Sequence, residues 1–210
     1  MSTSTGTSEG LPSGTPPVGA ARGDETRARL LAAAVTSFSA KGFHGTTTRD
    51  IARAAGISPT AMYVHHSSKE ELLYLIARRG HEEALAVVRG ALRKSRDPAI
   101  RLRAVVHDFA MYHARSHVMS RVVNYELAAL SQDHLAEILH LRRAITEELR
   151  TLVDQGIASG AFDPPDRRLA VAAVISLGVD IARWYRDDGV PPEKIADAYA
   201  EMVVRAVTAT

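Results

Sequence analysis

From Asp24 to the end of the 210-residue chain, apolar residues recur at three- and four-residue spacing, and no stretch alternates with period two. That periodicity predicts an all-α fold of about nine helices, separated by glycine, proline and capping residues. Asp24 to Lys41 carries Leu30, Leu31, Ala34, Val35 and Phe38 on one stripe and stops at Gly42. A short helix from Arg49 to Ala55 follows three threonines, Thr46 to Thr48, and ends at Gly56. Ser58-Pro59 opens a second short helix running through His65: the serine caps, and proline occupies the first turn, where no amide hydrogen is needed. Ser68 caps a long helix from Lys69 to about Lys94, with Glu70 and Glu71 at its positive end. Further helices are expected from Asp97-Pro98 to about Arg115, from Val118 to Leu130, and from Ser131 to about Ser159. Two more follow, from Arg167 to Tyr185 and from Glu193 to Val207.

Composition closes several routes. The chain has no cysteine, which removes disulfides, thiolate metal sites and a cysteine nucleophile. No apolar run approaches the ~20 residues of a membrane span. Residues 1–23 are mostly serine, threonine, glycine and proline, lack the pattern of a secretion signal, and read as a disordered tail; a cytoplasmic protein is expected. There is no glycine-rich phosphate loop, no Gly-x-Ser-x-Gly elbow and no His-Glu-x-x-His, so neither an enzyme nor a cofactor is expected. His113 and His117 have the four-residue spacing of a helical metal pair, but the expected helix end at Arg115 falls between them, and no metal site is expected.

The stretch with functional content is TTTRDIARAAGISPTAMYVHHSSKEELL, residues 46–73. Two short helices flank a tight turn at Gly56, packed through Ile51, Ala52, Ala55, Ile57, Ala61 and Met62. This is the arrangement of a helix-turn-helix, whose second helix enters the DNA major groove. The outer face of that helix is small or polar, with Ser58, Pro59, Thr60, Val64 and His65, so its backbone can approach base edges closely. Phosphates are expected to meet Thr47 and Thr48 at the first helix start, the Tyr63 hydroxyl, Arg49 and the Lys69 ammonium. Net charge is only +2, but from Arg22 to Lys69 seven basic residues stand against three acidic ones, so the positive charge is local.

Residues 26 to 73 resemble the TetR family of one-component repressors. The resemblance is carried by Phe38, Lys41-Gly42-Phe43, Thr46-Thr47-Thr48, Asp50-Ile51-Ala52, Ala55-Gly56-Ile57-Ser58, Tyr63-Val64-His65 and Ser68-Lys69-Glu70-Glu71-Leu72. It implies a DNA-binding domain over 24–70 and a ligand-binding, dimerising domain over 71–210. It further implies a homodimer through the last two helices and a double-stranded palindromic operator. Thr48, Tyr63, His65 and Lys69 match family positions that touch DNA. His66 stands where the family usually has Phe, and a packing role is expected of it.

The C-terminal part resembles a branch of that family controlling lipid, acyl-CoA and steroid catabolism. The matching stretches are Arg183-Trp184-Tyr185-Arg186, Glu126 to Ser131 and Ile157 to Phe162. That implies a repressor released by a small hydrophobic or acyl-CoA-like effector. Met111, Tyr112, Met119, Tyr125, Leu141 and Trp184 are the candidate cavity residues, since methionine adapts its shape and tyrosine joins an apolar body to a polar tip. For most of them core packing or the dimer interface is the plainer role.

Overall fold

The computed structural model describes residues 18–208, with side chains from residue 23 onward, and every regular element among them is helical. They are α1 (Val18–Gly45), α2 (Thr48–Ala54), α3 (Pro59–His65), α4 (Lys69–Leu92), α5 (Pro98–Arg115) and α6 (His117–Tyr125). A 3₁₀ turn (Leu127–Ala129) precedes α7 (Gln132–Ala158), α8 (Arg167–Trp184) and α9 (Pro192–Val207). None of these helices is long and apolar enough to cross a membrane.

Local chemistry accounts for most boundaries. Thr47 caps α2 in a reciprocal box: its hydroxyl accepts from the Asp50 amide (3.1 Å), and its own amide donates to the Asp50 carboxylate (3.0 Å). These Thr47 bonds, with Lys41 3.6 Å away, hold the Asp50 carboxyl below its ordinary pKa. Ser58, Ser68 and Ser131 cap α3, α4 and α7 through their hydroxyls, and Asp97 and Asp166 cap α5 and α8.

Three boundaries differ from the sequence expectation. The backbone is already helical at Val18, so residues 18–23 belong to α1 rather than to a tail; residues 1–17 lie outside the described residues. Gly42, at φ 70°, breaks α1 but does not end it, and one more turn runs to Gly45. The buried Thr46 hydroxyl secures this break, lying 2.8 Å from the Gly42 carbonyl and 3.1 Å from that of Ser37. The segment expected as one helix from Val118 to Leu130 leaves α-geometry at Glu126. The tighter turn after it lets Leu127 and Leu130 both reach the core.

The core around α1–α3 is not self-contained. Leu30, Phe38, Ile51 and Met62 pack in one cluster with Leu72, Leu73 and Ile76 of α4, and that cluster continues into Val122 and Val123 of α6 and Ile138 of α7. A second cluster fills the space between α4, α5, α7, α8 and α9. Two glycines set how closely helices approach. A Cβ on Gly80 would lie 2.8 Å from a Val123 methyl, and one on Gly178 would lie 2.3 Å from the Phe109 ring.

Candidate DNA-binding face and effector cavity

α3 is held from one side only. Met62 is fully buried against α1 and α2, while Ser58, Pro59 and Thr60 are exposed, as are Tyr63 (54%) and Val64 (79%). His65 is half-buried in the last turn. The Tyr63 hydroxyl sits 3.3 Å from that of Thr48, joining the start of α2 to the outer face of α3. Thr47 and Arg49 flank this pair and are exposed. The Thr48–Tyr63 approach therefore brings the start of α2 beside the outer face of α3, where Val64 next to Tyr63 is exposed. A valine so placed suits contact with a thymine methyl.

Lys69 has a second task. Its ammonium donates to the carbonyls of Phe43 and Thr46, both at 2.8 Å, and lies 4.3 Å from the centre of the Phe43 ring. It thus ties the start of α4 to the turn between α1 and α2. One of its three protons remains for an outside acceptor.

A partly enclosed cavity of about 120 Å³ lies between α4, α5, α6, α7 and α8. Its apolar wall includes Phe109, Val123, Ile145 and Val179, and its polar lining is His81, His113, Asn124, Arg142 and Thr146. Both histidines are buried. Nδ1 of His81 lies 2.8 Å from the Ala77 carbonyl and Nδ1 of His113 2.9 Å from that of Phe109; since a carbonyl only accepts, the proton sits on Nδ1 in each. Burial pushes both imidazoles below their ordinary pKa, His113 to about 4, so both are neutral at pH 7.

The model of the bacterial regulatory proteins of the tetR family matches residues 30–74, and that of the tetracyclin repressor-like C-terminal domain matches residues 95–207. The chain belongs to the tetR family. A crystal structure of a tetR-family regulatory protein from Rhodococcus RHA1 is similar at a TM-score of 0.84 and 37% identity, covering 89% of this chain and 98% of that one. The HTH-type transcriptional activator FasR of Mycolicibacterium smegmatis is 28% identical over 171 residues, 81% of this chain and 77% of that protein. The HTH-type transcriptional repressor KstR2 of Mycobacterium tuberculosis is 28% identical over 187 residues, 87% of this chain and 92% of that protein. This tetR-family protein is a DNA-binding transcriptional regulator.

The departure from the family pattern at His66 is a packing position. The ring is 5% exposed, and both its nitrogens are buried without a hydrogen-bond partner; the nearest Glu71 oxygen is 3.7 Å from Nδ1.

None of the six residues expected at an effector cavity lines this one. Tyr112 instead donates its hydroxyl to the Gly80 carbonyl (2.9 Å) and shares a separate surface hollow with Met111. Met119 packs on the core around α1–α3, and Leu141 bridges the two main clusters. Tyr125 and Trp184 are exposed. The residues that do line the cavity carry no distinguishing sequence pattern: His81 and His113 are single histidines on otherwise apolar helix faces. His117 begins a different helix from His113, and no group of three or more histidines and carboxylates that could hold a metal occurs among the described residues.

α8 and α9 leave a joint apolar surface uncovered. Leu169 is 70% exposed and Met202 53%, and between them runs a groove of about 400 Å³ floored by Ala173, Leu177 and Val203.

Proposed function

We propose that the protein is a cytoplasmic, homodimeric repressor that leaves a palindromic operator when an effector enters the cavity between α4 and α8. No catalytic role is assigned to it. The observation that carries this reading is the exposed outer face of α3 with the start of α2 beside it. Ser58, Pro59, Thr60 and His65 are assigned to base edges or the adjoining backbone, and Thr47, Thr48, Arg49, Tyr63 and Lys69 to phosphates. Residues 24–70 form the DNA-binding domain and 71–210 the effector and dimerisation domain. The uncovered apolar face of α8 and α9 supports dimerisation there, since a two-fold axis would bury Leu169 and Met202 against their own copies.

The coupling follows from shared walls. Val123 lines the cavity and also belongs to the core that holds α1. α4 lines the cavity through Gly80 and His81 and grips the α1–α2 turn through Lys69. An effector that displaces α6 or α4 therefore moves the DNA-binding face, and two such shifts change the half-site spacing. The effector must bind the DNA-free form more tightly; a differential of about 3 kcal/mol weakens operator binding roughly a hundredfold. A small hydrophobic or acyl-CoA-like effector is proposed from the resemblance of the C-terminal part to regulators of lipid catabolism. A repressor is preferred to an activator from the resemblance of residues 26 to 73 to a family of repressors.

The test is fluorescence anisotropy on DNA from upstream of the gene, beside scrambled DNA, at two salt concentrations, with Tyr63→Ala as the variant. Tight, sequence-selective, salt-dependent binding that the variant weakens is expected. Equal weak binding to both DNAs, with the same result on operators selected from random sequence, would sink the proposal.

A further inference from the structure

The polar lining of the cavity follows one rule. His81, His113, Asn124 and Thr146 each return a donor to the carbonyl four residues earlier on their own helix: Ala77 (2.8 Å), Phe109 (2.9 Å), Ser120 (2.8 Å) and Arg142 (3.0 Å). With those donors committed, the two neutral imidazoles present Nε2 and Thr146 a lone pair, all acceptors, while Asn124 keeps its carbonyl oxygen and one amide N–H.

Arg142 is the opposite case. It lines the same cavity half-buried, and its guanidinium has no ion pair or hydrogen bond among the described residues. Its charge faces His81, where it adds to burial in keeping that imidazole neutral. No carboxylate lines the cavity. A half-buried guanidinium with no protein acceptor is open to an outside one, and a carboxylate matches its geometry in bidentate fashion. The void, about 120 Å³, compares with the ~150 Å³ that holds a benzene ring, which limits an occupant to roughly six or seven non-hydrogen atoms.

We propose that the cavity takes a small hydroxycarboxylate as its free anion, with the carboxylate on Arg142 and the hydroxyl donating to Nε2 of His81 or His113. This rests on the reading of the cavity as the effector site and departs from that reading in the effector's chemistry, replacing the acyl-CoA-like class by a free acid. A neutral thioester would leave the Arg142 charge unpaired, and coenzyme A would not fit inside. A plain fatty acid of the same length would leave the imidazole acceptors empty. The alkyl part of the ligand lies against Ile145 and Val179.

The experiment is isothermal calorimetry and thermal shift on the DNA-free full chain. The probes are 2-hydroxybutyrate, 3-hydroxybutyrate, butyrate, 3-hydroxybutyramide and butyryl coenzyme A. One or both hydroxycarboxylates are expected to bind and raise Tm. Butyrate should bind about tenfold more weakly, and the uncharged amide more weakly still, each having lost one set of partners. Arg142→Gln should lose about tenfold or more in affinity for the acids, whereas Arg143→Gln, an exposed neighbour on α7, should keep it. The wild-type comparison of acid with amide stands even if Arg142→Gln fails to fold. Tighter binding of the amide or of butyryl coenzyme A would overturn the free-acid proposal while upholding the effector site. No binding by any probe at millimolar concentration would overturn the proposal as well, and the anisotropy assay would still report on DNA binding alone.

Discussion

Replacing His66 by Phe should stabilise the protein, although it enlarges a buried side chain. His66 is 5% exposed, and neither ring nitrogen has a hydrogen-bond partner. A buried polar group left unsatisfied costs about 1–3 kcal/mol, and phenylalanine carries no such group. Against this stands the extra volume, since overpacking a closed core costs about 1–3 kcal/mol. Two features favour the gain. His66 ends α3 in extended geometry (φ −144°, ψ 134°), at the edge of the core rather than at its centre, so the larger ring can be accommodated. Glu71 does not depend on His66, because it accepts from the Ser67 amide (2.6 Å) and hydroxyl (2.8 Å).

The net expectation is about 1–2 kcal/mol, or a rise in Tm of roughly 3–6 °C for a chain of this size. The pH dependence supplies a second signature. Burial depresses the His66 pKa, with Glu71 opposing but not reversing it. Below pH 6.5 the unfolded chain binds a proton that the folded ring resists, so the wild type loses stability as pH falls and the variant does not lose that share. The difference between the two proteins, followed by circular dichroism melts from pH 7.5 to 5.5, should widen toward acid. All other histidines cancel in that difference. A variant that melts lower at pH 7.5, or a gap that stays flat with pH, would refute the reasoning and imply that the ring nitrogens are hydrated or paired in solution.

Three further outcomes follow from the same geometry. Lys69→Met removes two bonds to carbonyls and the contact with Phe43; it should cost about 1–3 kcal/mol in urea unfolding and reduce operator affinity together with its salt slope. Loss of affinity with no loss of stability would make Lys69 a phosphate contact only. Leu169→Glu combined with Met202→Glu places charges on the uncovered α8–α9 face and should convert a dimer to a monomer in sedimentation velocity; an unchanged dimer would move the interface elsewhere. His113, buried and neutral, contributes acid sensitivity: between pH 6.5 and about 4 its folded form resists the proton that the unfolded chain takes up, a loss of about 3 kcal/mol across the window. Urea titrations at stepped pH should show a shallower acid slope for His113→Leu than for the wild type.

Most helix starts and the outward side of α3 were legible in the sequence alone, because those features are set within a few residues. Thr47 with Asp50, Ser58 with Pro59, and Ser68 act through local hydrogen bonds whose partners lie three residues away. The spacing of Ala61 and Met62 against Thr60, Tyr63 and Val64 assigns inner and outer faces in the same local way. What lines the cavity was set by long-range packing instead. A void is what remains when five helices meet, and its position depends on approaches such as Gly80 to Val123 and Gly178 to Phe109, between residues 43 and 69 positions apart. The large, adaptable residues singled out from the sequence fill core or surface instead, while two histidines and an arginine with no local signature face the space. Lys69 gives the same lesson on a smaller scale. Its charge was legible, but two of its three protons go to carbonyls 23 and 26 residues away, which only the fold brings within reach.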